Sequence, residues 1–178
     1  MTKHTGFTLN HLSLAVLALA LSAAAGSAVA ATVSASSTST VVTPMNVTKA
    51  SDLSFGSFAA TAAPGTVTIR PDGTRAVDAV IGLAGATTAA KFDATGSGNA
   101  TYSISFAGSS TSLTSGGNSM AFTRIADTSA STITSGDVTT GTLSSGAQSV
   151  YVGGVLTVAA NQAPGTYSGT VQIAVDYN

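Results

Sequence analysis

Seven aspartates, Asp52, Asp72, Asp78, Asp93, Asp127, Asp137 and Asp176, supply all the acidity of this 178-residue chain, which has no Glu, no Cys and no Trp. Its two histidines, His4 and His11, fall in an N-terminal stretch that reads as a cleaved leader. General acid–base catalysis, nucleophilic triads and zinc or iron sites draw on His, Cys or Glu, because few other side chains titrate near neutral pH or bind those metals well. A hydrolase would have to be built from a pair of aspartates alone. Asp127 and Asp137 are not spaced as a calcium loop is. The expectation is a protein that is not an enzyme and carries no metal and no cofactor.

What is left to do the work is backbone and uncharged surface. The chain is 44% hydrophobic but only 7% charged, against about a quarter charged in ordinary globular domains. Its polar surface must come from Ser, Thr, Asn and Gly, a composition suited to extended strands and turns. A formal net charge of −1 gives no electrostatic footprint for nucleic acid or anionic lipid. Without cysteines there is no disulfide, so stability rests on the core.

The elements that would position this surface begin with an address. Lys3 precedes the uncharged apolar run Leu12–Ala25, and Ala28-Val29-Ala30 is an A-x-A cleavage signature, so residues 1–30 read as a secretory signal peptide cut after Ala30. The run is short for a membrane span, which needs about 20 apolar residues. Gly6-Phe7-Thr8-Leu9 resembles the processing site of type IV prepilins, but that family expects Glu at the fifth residue after the cut, where this chain has His11. Residues 31–43, ATVSASSTSTVVT, are an uncharged Ser/Thr-rich arm or linker. In an extended arm Val33, Ala35 and Val41 share one face, a pattern that strand addition to a neighbouring subunit could use, although Ser37 and Ser39 interrupt it.

Residues 44–178 read as one domain of about eight or nine short strands without a helix. Met45–Thr48 and Asp52–Phe58 are expected strands, the second with a bulge or close approach at Gly56. Thr66–Arg70 and Thr74–Leu83 form a hairpin across Pro71-Asp72-Gly73. Ala89–Thr95, centred on Phe92, and Ala100–Phe106, with Tyr102, Ile104 and Phe106 on one face, supply the core. Met120 and Phe122 mark another strand, Ala126–Gln148 a long loop, and Ser149–Ala159 a strand bent at Gly153-Gly154. The expected fold is a single antiparallel β-sandwich, immunoglobulin-like with Greek-key connections.

The closing stretch organises this reading. From Gly165 the odd positions run Tyr167, Gly169, Val171, Ile173, Val175, Tyr177, while the even ones are small or polar, so a long amphipathic strand is expected over 167–177. Tyr177 next to last, Gly165 fourteenth from the end and alternating Val175, Ile173 and Val171 between them resemble the closing strand of chaperone–usher fimbrial subunits. The stretch is also similar to that of spore-coat-U-like secreted domains and of an uncharacterised family of Gram-negative secreted domains. The run Asn46–Phe58 resembles the opening strands of the latter two.

That resemblance implies a secreted structural subunit of the bacterial surface, pilus-, fimbria- or coat-like, acting in assembly or adhesion. It further implies that Gly165–Tyr177 borders a groove, met first by a periplasmic chaperone and then, at an outer-membrane usher, by a donor strand from another copy or a related subunit. Many fimbrial subunits carry a disulfide, which this chain lacks. The alternative from another class is a self-contained monomeric binding module, for example for carbohydrate, using the Ala126–Gln148 loop. That loop has no aromatic platform. A type IV pilin-like protein is the third and most distant reading.

Overall fold

The computed structural model of the chain describes residues 30–178. The proposed signal peptide, with Ala28 of its cleavage signature, lies outside them; Ala30 is the first residue inside. Residues 30–43 are exposed without strand or helix, and the compact unit runs from Val41 to Asn178.

Alternation of apolar with Ser, Thr or Gly builds twelve strands among the described residues. In order they are β1 (Asn46–Ser51), β2 (Phe58–Ala59), β3 (Gly65–Ile69), β4 (Arg75–Asp78), β5 (Ile81–Gly82), β6 (Ala90–Thr95), β7 (Thr101–Ser105), β8 (Ser112–Ser115), β9 (Asn118–Asp127), β10 (Thr140–Thr142), β11 (Ala147–Val158) and β12 (Ala174–Tyr177). The seven-stranded sheet follows the order β1-β6-β11-β3-β4, with β9 on the other edge of β11 and β8 beyond it. The facing sheet is β10-β7-β12, and β2 and β5 make a small third ladder. All the strand pairs are antiparallel; one isolated parallel bridge joins Ala126 to Asp137. This is the expected antiparallel β-sandwich, its chain repeatedly crossing between sheets.

Two apolar clusters fill the space between the sheets. One joins Phe92, Tyr102, Ile104, Val150 and Val152; the other joins Phe55, Val67, Ile69, Phe122, Leu156 and Val158. Burying each such side chain contributes about 1.5–3 kcal/mol. Leu53 and Val171 touch both clusters, so the core is continuous through these two half-buried residues.

β11 is the axis of the large sheet. Ala147–Val152 pairs with β6 and Gly154–Val158 with β3 along the same edge, while β9 takes the opposite edge. Gly153 stands at the handover, where a Cβ would collide with the Ile69 carbonyl. The bend expected at Gly153-Gly154 is thus a change of partner within one unbroken strand, and the reason for glycine is close backbone approach.

Several expectations need correcting. The closing stretch is a regular strand only over Ala174–Tyr177; before it stands a single bridge, Ser168 to Thr114. The alternation survives except at Gly169, which is exposed: Tyr167, Val171, Ile173, Val175 and Tyr177 are half-buried, while Ser168, Thr170, Gln172, Ala174 and Asp176 are exposed. The ladder breaks because this segment faces β8, a loop and then β7, so Ser109 and Ser110 hydroxyls take over backbone pairing. Asp52–Phe58 is likewise no continuous strand, since Gly56 sits at φ +67° and turns the chain. The hairpin's second arm ends at Asp78, where Ala79 takes φ 53°. Ala126–Gln148 is less irregular than expected, for it contains β10 and the buried Leu143. Strand β8 was not expected at all; it is closed onto β9 by Gly116-Gly117, both at positive φ, as a tight hairpin requires.

Candidate functional site

Five of the seven aspartates serve local structure. Asp52 pairs with Lys49 at 2.6 Å, Arg124 with Asp137 through two guanidinium contacts, and Lys91 with Asp93 at 3.0 Å. The Ser149 hydroxyl, donating at 2.7 Å, and then the Lys91 ammonium hold the Asp93 carboxyl below its usual value. Thr74, through its hydroxyl at 2.6 Å and its N–H at 2.9 Å, does the same for Asp72 in the β3–β4 turn. Asp127 accepts from the Thr128 N–H and the Ser129 hydroxyl. Among the described residues no three His, Cys, Asp or Glu side chains gather as a metal site would require.

Of the proposed assembly residues, Gly165, Tyr167 and Val171 lie along one side of a long groove with an apolar floor. It has a volume of about 930 Å³. One wall is the segment from Ser51 to Ala60, the other the segment from Asn161 to Val171, and the floor is Ala90, Phe92, Leu113, Met120, Phe122 and Leu156. Phe55 meets Phe122 edge to face, ring centroids 6.0 Å apart at 87°. The groove exists because β1 ends one sheet and β12 ends the other, with no strand joining them among the described residues. One end is closed where the Asn161 N–H donates to the Thr61 carbonyl at 2.7 Å. Toward the other end β1 and β12 draw together, and beyond them the Tyr177 hydroxyl donates to the Thr43 carbonyl at 2.7 Å. The lining carries two charges, Lys49 and Asp52, which pair with each other.

The backbone of the closing segment decides what this groove can do. In an extended chain the N–H and C=O of one residue point to one lateral side and those of the next to the other. The even residues spend theirs outward: Ser168 exchanges both bonds with Thr114, the Thr170 carbonyl accepts from Ser110 N–H, and the Thr170 and Gln172 N–H groups donate to the Ser110 and Ser109 hydroxyls. The odd residues Tyr167, Gly169 and Val171 have no backbone hydrogen bond among the described residues, and by this geometry theirs face the groove. A row of unpaired amides and carbonyls beside an apolar floor is a template for one more strand.

The individual residues divide accordingly. Val171, half-buried over the floor, and Tyr167, whose hydroxyl donates to the Ala163 carbonyl and accepts from Gln162 Nε2 at 2.8 Å each, line the wall. Gly165 is exposed, and a Cβ there would come within 2.5 Å of the Ser115 hydroxyl. Ile173, Val175 and Tyr177 continue past the groove and pack on the first cluster. Val33 and Val41 of the arm are 95% and 94% exposed, and Ala35 is exposed too. Apart from Leu113 on the unexpected β8, the floor residues fall on strands the sequence announces, but not as a shared surface, because they come from β6, β8, β9 and β11. The Ala126–Gln148 loop is tied back by Arg124, whose guanidinium grips Asp137 and lies 4.1 Å over the Phe106 ring centroid.

Fold and groove together define an antiparallel β-sandwich with a groove at the seam between its first and last described segments. Residues 45–177 match the family described as Domain of unknown function (DUF4402), and the chain belongs to that family. No curated protein and no solved structure matches it.

Proposed function

We propose that this protein is a secreted structural subunit of the bacterial surface that assembles by accepting an extended strand into its open seam. The observation that carries the reading is the pairing of a groove with an apolar floor and the unpaired backbone of Tyr167, Gly169 and Val171 along one wall. Strand addition combines these two features: main-chain hydrogen bonds provide affinity, and alternate side chains filling pockets provide specificity.

The occupant proposed is the residue 31–43 arm of another copy. It is uncharged, as is the groove apart from one internal ion pair. At about 3.3 Å per residue it reaches about 43 Å, enough to follow the closing segment. It leaves the domain at Thr43, so each copy can give its arm to the next while taking one itself, a head-to-tail contact that generates a fibre when it does not close. The resemblance to fimbrial subunits supports this reading; with it the proposed partners are a periplasmic chaperone and an outer-membrane usher, and the proposed location runs from periplasm to cell surface.

The test is the assembly state of residues 31–178 secreted from the native host, compared with a chain lacking 31–43, by size exclusion with light scattering. Heat-resistant oligomers that vanish with the arm are expected. Stable monomers from both chains would overturn the reading and turn attention to a monomeric binding module.

A further inference from the structure

We infer that Arg75 sets the position of the groove's first wall, and with it the width offered to an incoming strand. This rests on the strand-acceptor reading of the groove. Beyond Ser51, which ends the β1–β6 ladder, the wall has little regular pairing: Ser54 exchanges backbone bonds with Thr88, and Phe58–Ala59 forms a short ladder with β5, which the Leu83 N–H extends by donating to the Ser57 carbonyl at 3.0 Å. Between these two anchors the chain turns at Gly56.

Arg75, on β4, fastens that turn. Its Nη1 donates to the Phe55 carbonyl at 3.3 Å and to the Ser57 carbonyl at 3.1 Å, and its Nη2 donates to the Leu83 carbonyl at 2.8 Å. One guanidinium therefore ties both halves of the small β2–β5 ladder to the large sheet. No carboxylate pairs with Arg75 among the described residues, so the donors are directed at backbone. Two glycines make room for the head group: a Cβ at Gly56 would lie 2.9 Å from Nη1, and one at Gly82 3.2 Å from Nη2. Phe55, which bears one of these anchored carbonyls, packs on Phe122 in the groove floor.

A planar fork of fixed donors can span several carbonyls at once; a lysine ammonium presents one point charge on a flexible stem. Arg75→Lys therefore keeps the charge and removes the clamp. Wall amides then open more often, while those deep in the large sheet do not.

The experiment is hydrogen exchange on the native chain and on Arg75→Lys and Arg75→Ala, with capture of a synthetic peptide of residues 31–43 measured in parallel. The expected result is at least tenfold faster exchange at Gly56, Ala59 and Leu83 in both variants, unchanged exchange at Val150–Val158, and faster peptide release. Unchanged exchange at the wall overturns the role of Arg75, as does acceleration spread equally over β11. In the native chain, separate and slowly exchanging Nη signals for Arg75 by NMR are expected; a freely rotating guanidinium overturns the proposal even where a variant does not fold. If the native protein captures no peptide, the strand-acceptor reading fails, while the exchange data still decide whether Arg75 holds the wall.

Discussion

The Tyr177 hydroxyl joins the two ends of the domain: it donates to the Thr43 carbonyl at 2.7 Å and accepts from the Ser97 N–H at 2.5 Å. The side chain that closes the last strand thereby fixes the point where the arm departs. Gly96 completes the arrangement, because a Cβ there would run into the Tyr177 hydroxyl. Tyr177→Phe deprives two backbone groups of their partner, and a loss of about 1–2 kcal/mol is expected in urea unfolding. Unfolding free energy equal to that of the native chain would show that the contact contributes nothing.

Charge on the arm separates assembly from folding. Val33 and Val41 are almost fully exposed, so Val33→Asp with Val41→Asp leaves the melting temperature of the isolated domain within about 1 °C, surface changes of this kind being nearly neutral. The same pair should abolish arm-dependent oligomers, since a carboxylate cannot enter an apolar pocket unpaired. Oligomers that persist by light scattering would exclude the arm as occupant.

Tyr102 lies at the centre of the first cluster with no exposure, and its hydroxyl has no partner among the described residues. Its cross-strand neighbour is Gly141, where a Cβ would come within 2.5 Å of that hydroxyl. Tyr102→Phe is expected to be neutral or to stabilise by about 1 kcal/mol, because it removes a buried polar group that makes no bond. Gly141→Ala is expected to destabilise by about 1–3 kcal/mol through overpacking. Thermal unfolding of the two variants measures both, and the opposite order of stabilities would contradict the packing described.

The Arg124–Asp137 pair, with Phe106 beneath the guanidinium, holds the loop that follows β9. Both side chains are partly exposed, at 21% and 39%, so the pair and its ring contact together contribute about 1 kcal/mol after solvent screening. Asp137→Ala should speed exchange at Val138, whose N–H donates to the Ala126 carbonyl at 3.2 Å, without moving the assembly state. Exchange at Val138 that does not change would show the loop to be held by other contacts.

Acid acts on Asp93. Its folded-state pKa lies below the unfolded value of 3.8, through Ser149 first and Lys91 second. The stabilisation is fully present above that value and is lost as pH falls through the depressed one. Tyr102 works at the other end, since burial raises its pKa above 10.0. Its contribution is complete below pH 10 and is lost as pH rises beyond. Stability should fall below about pH 4, and Asp93→Asn should flatten that fall. An acid limb that is identical in Asp93→Asn would remove Asp93 from the account.

What the sequence determined by itself was whatever depends on local period and turn chemistry. The alternation at Tyr102, Ile104 and Phe106 named buried residues because successive side chains of a strand face opposite ways, and all three are buried. Pro71-Asp72-Gly73 fixed a hairpin for the same local reason. The odd face of the closing stretch was also legible, down to each half-buried position, although its ladder was not. Pairing there depends on what lies alongside, and Ser109 and Ser110 stand sixty residues away.

The groove belongs wholly to the tertiary structure. Its floor gathers Phe92, Met120, Phe122 and Leu156 from three strands, and its open side exists because β1 and β12 close different sheets. Arg75 showed no motif, since its partners are backbone carbonyls, which every residue possesses. Side-chain type and period declare which face of a strand meets the core; which backbone edge is left without a neighbour is settled only when all the strands have taken their places.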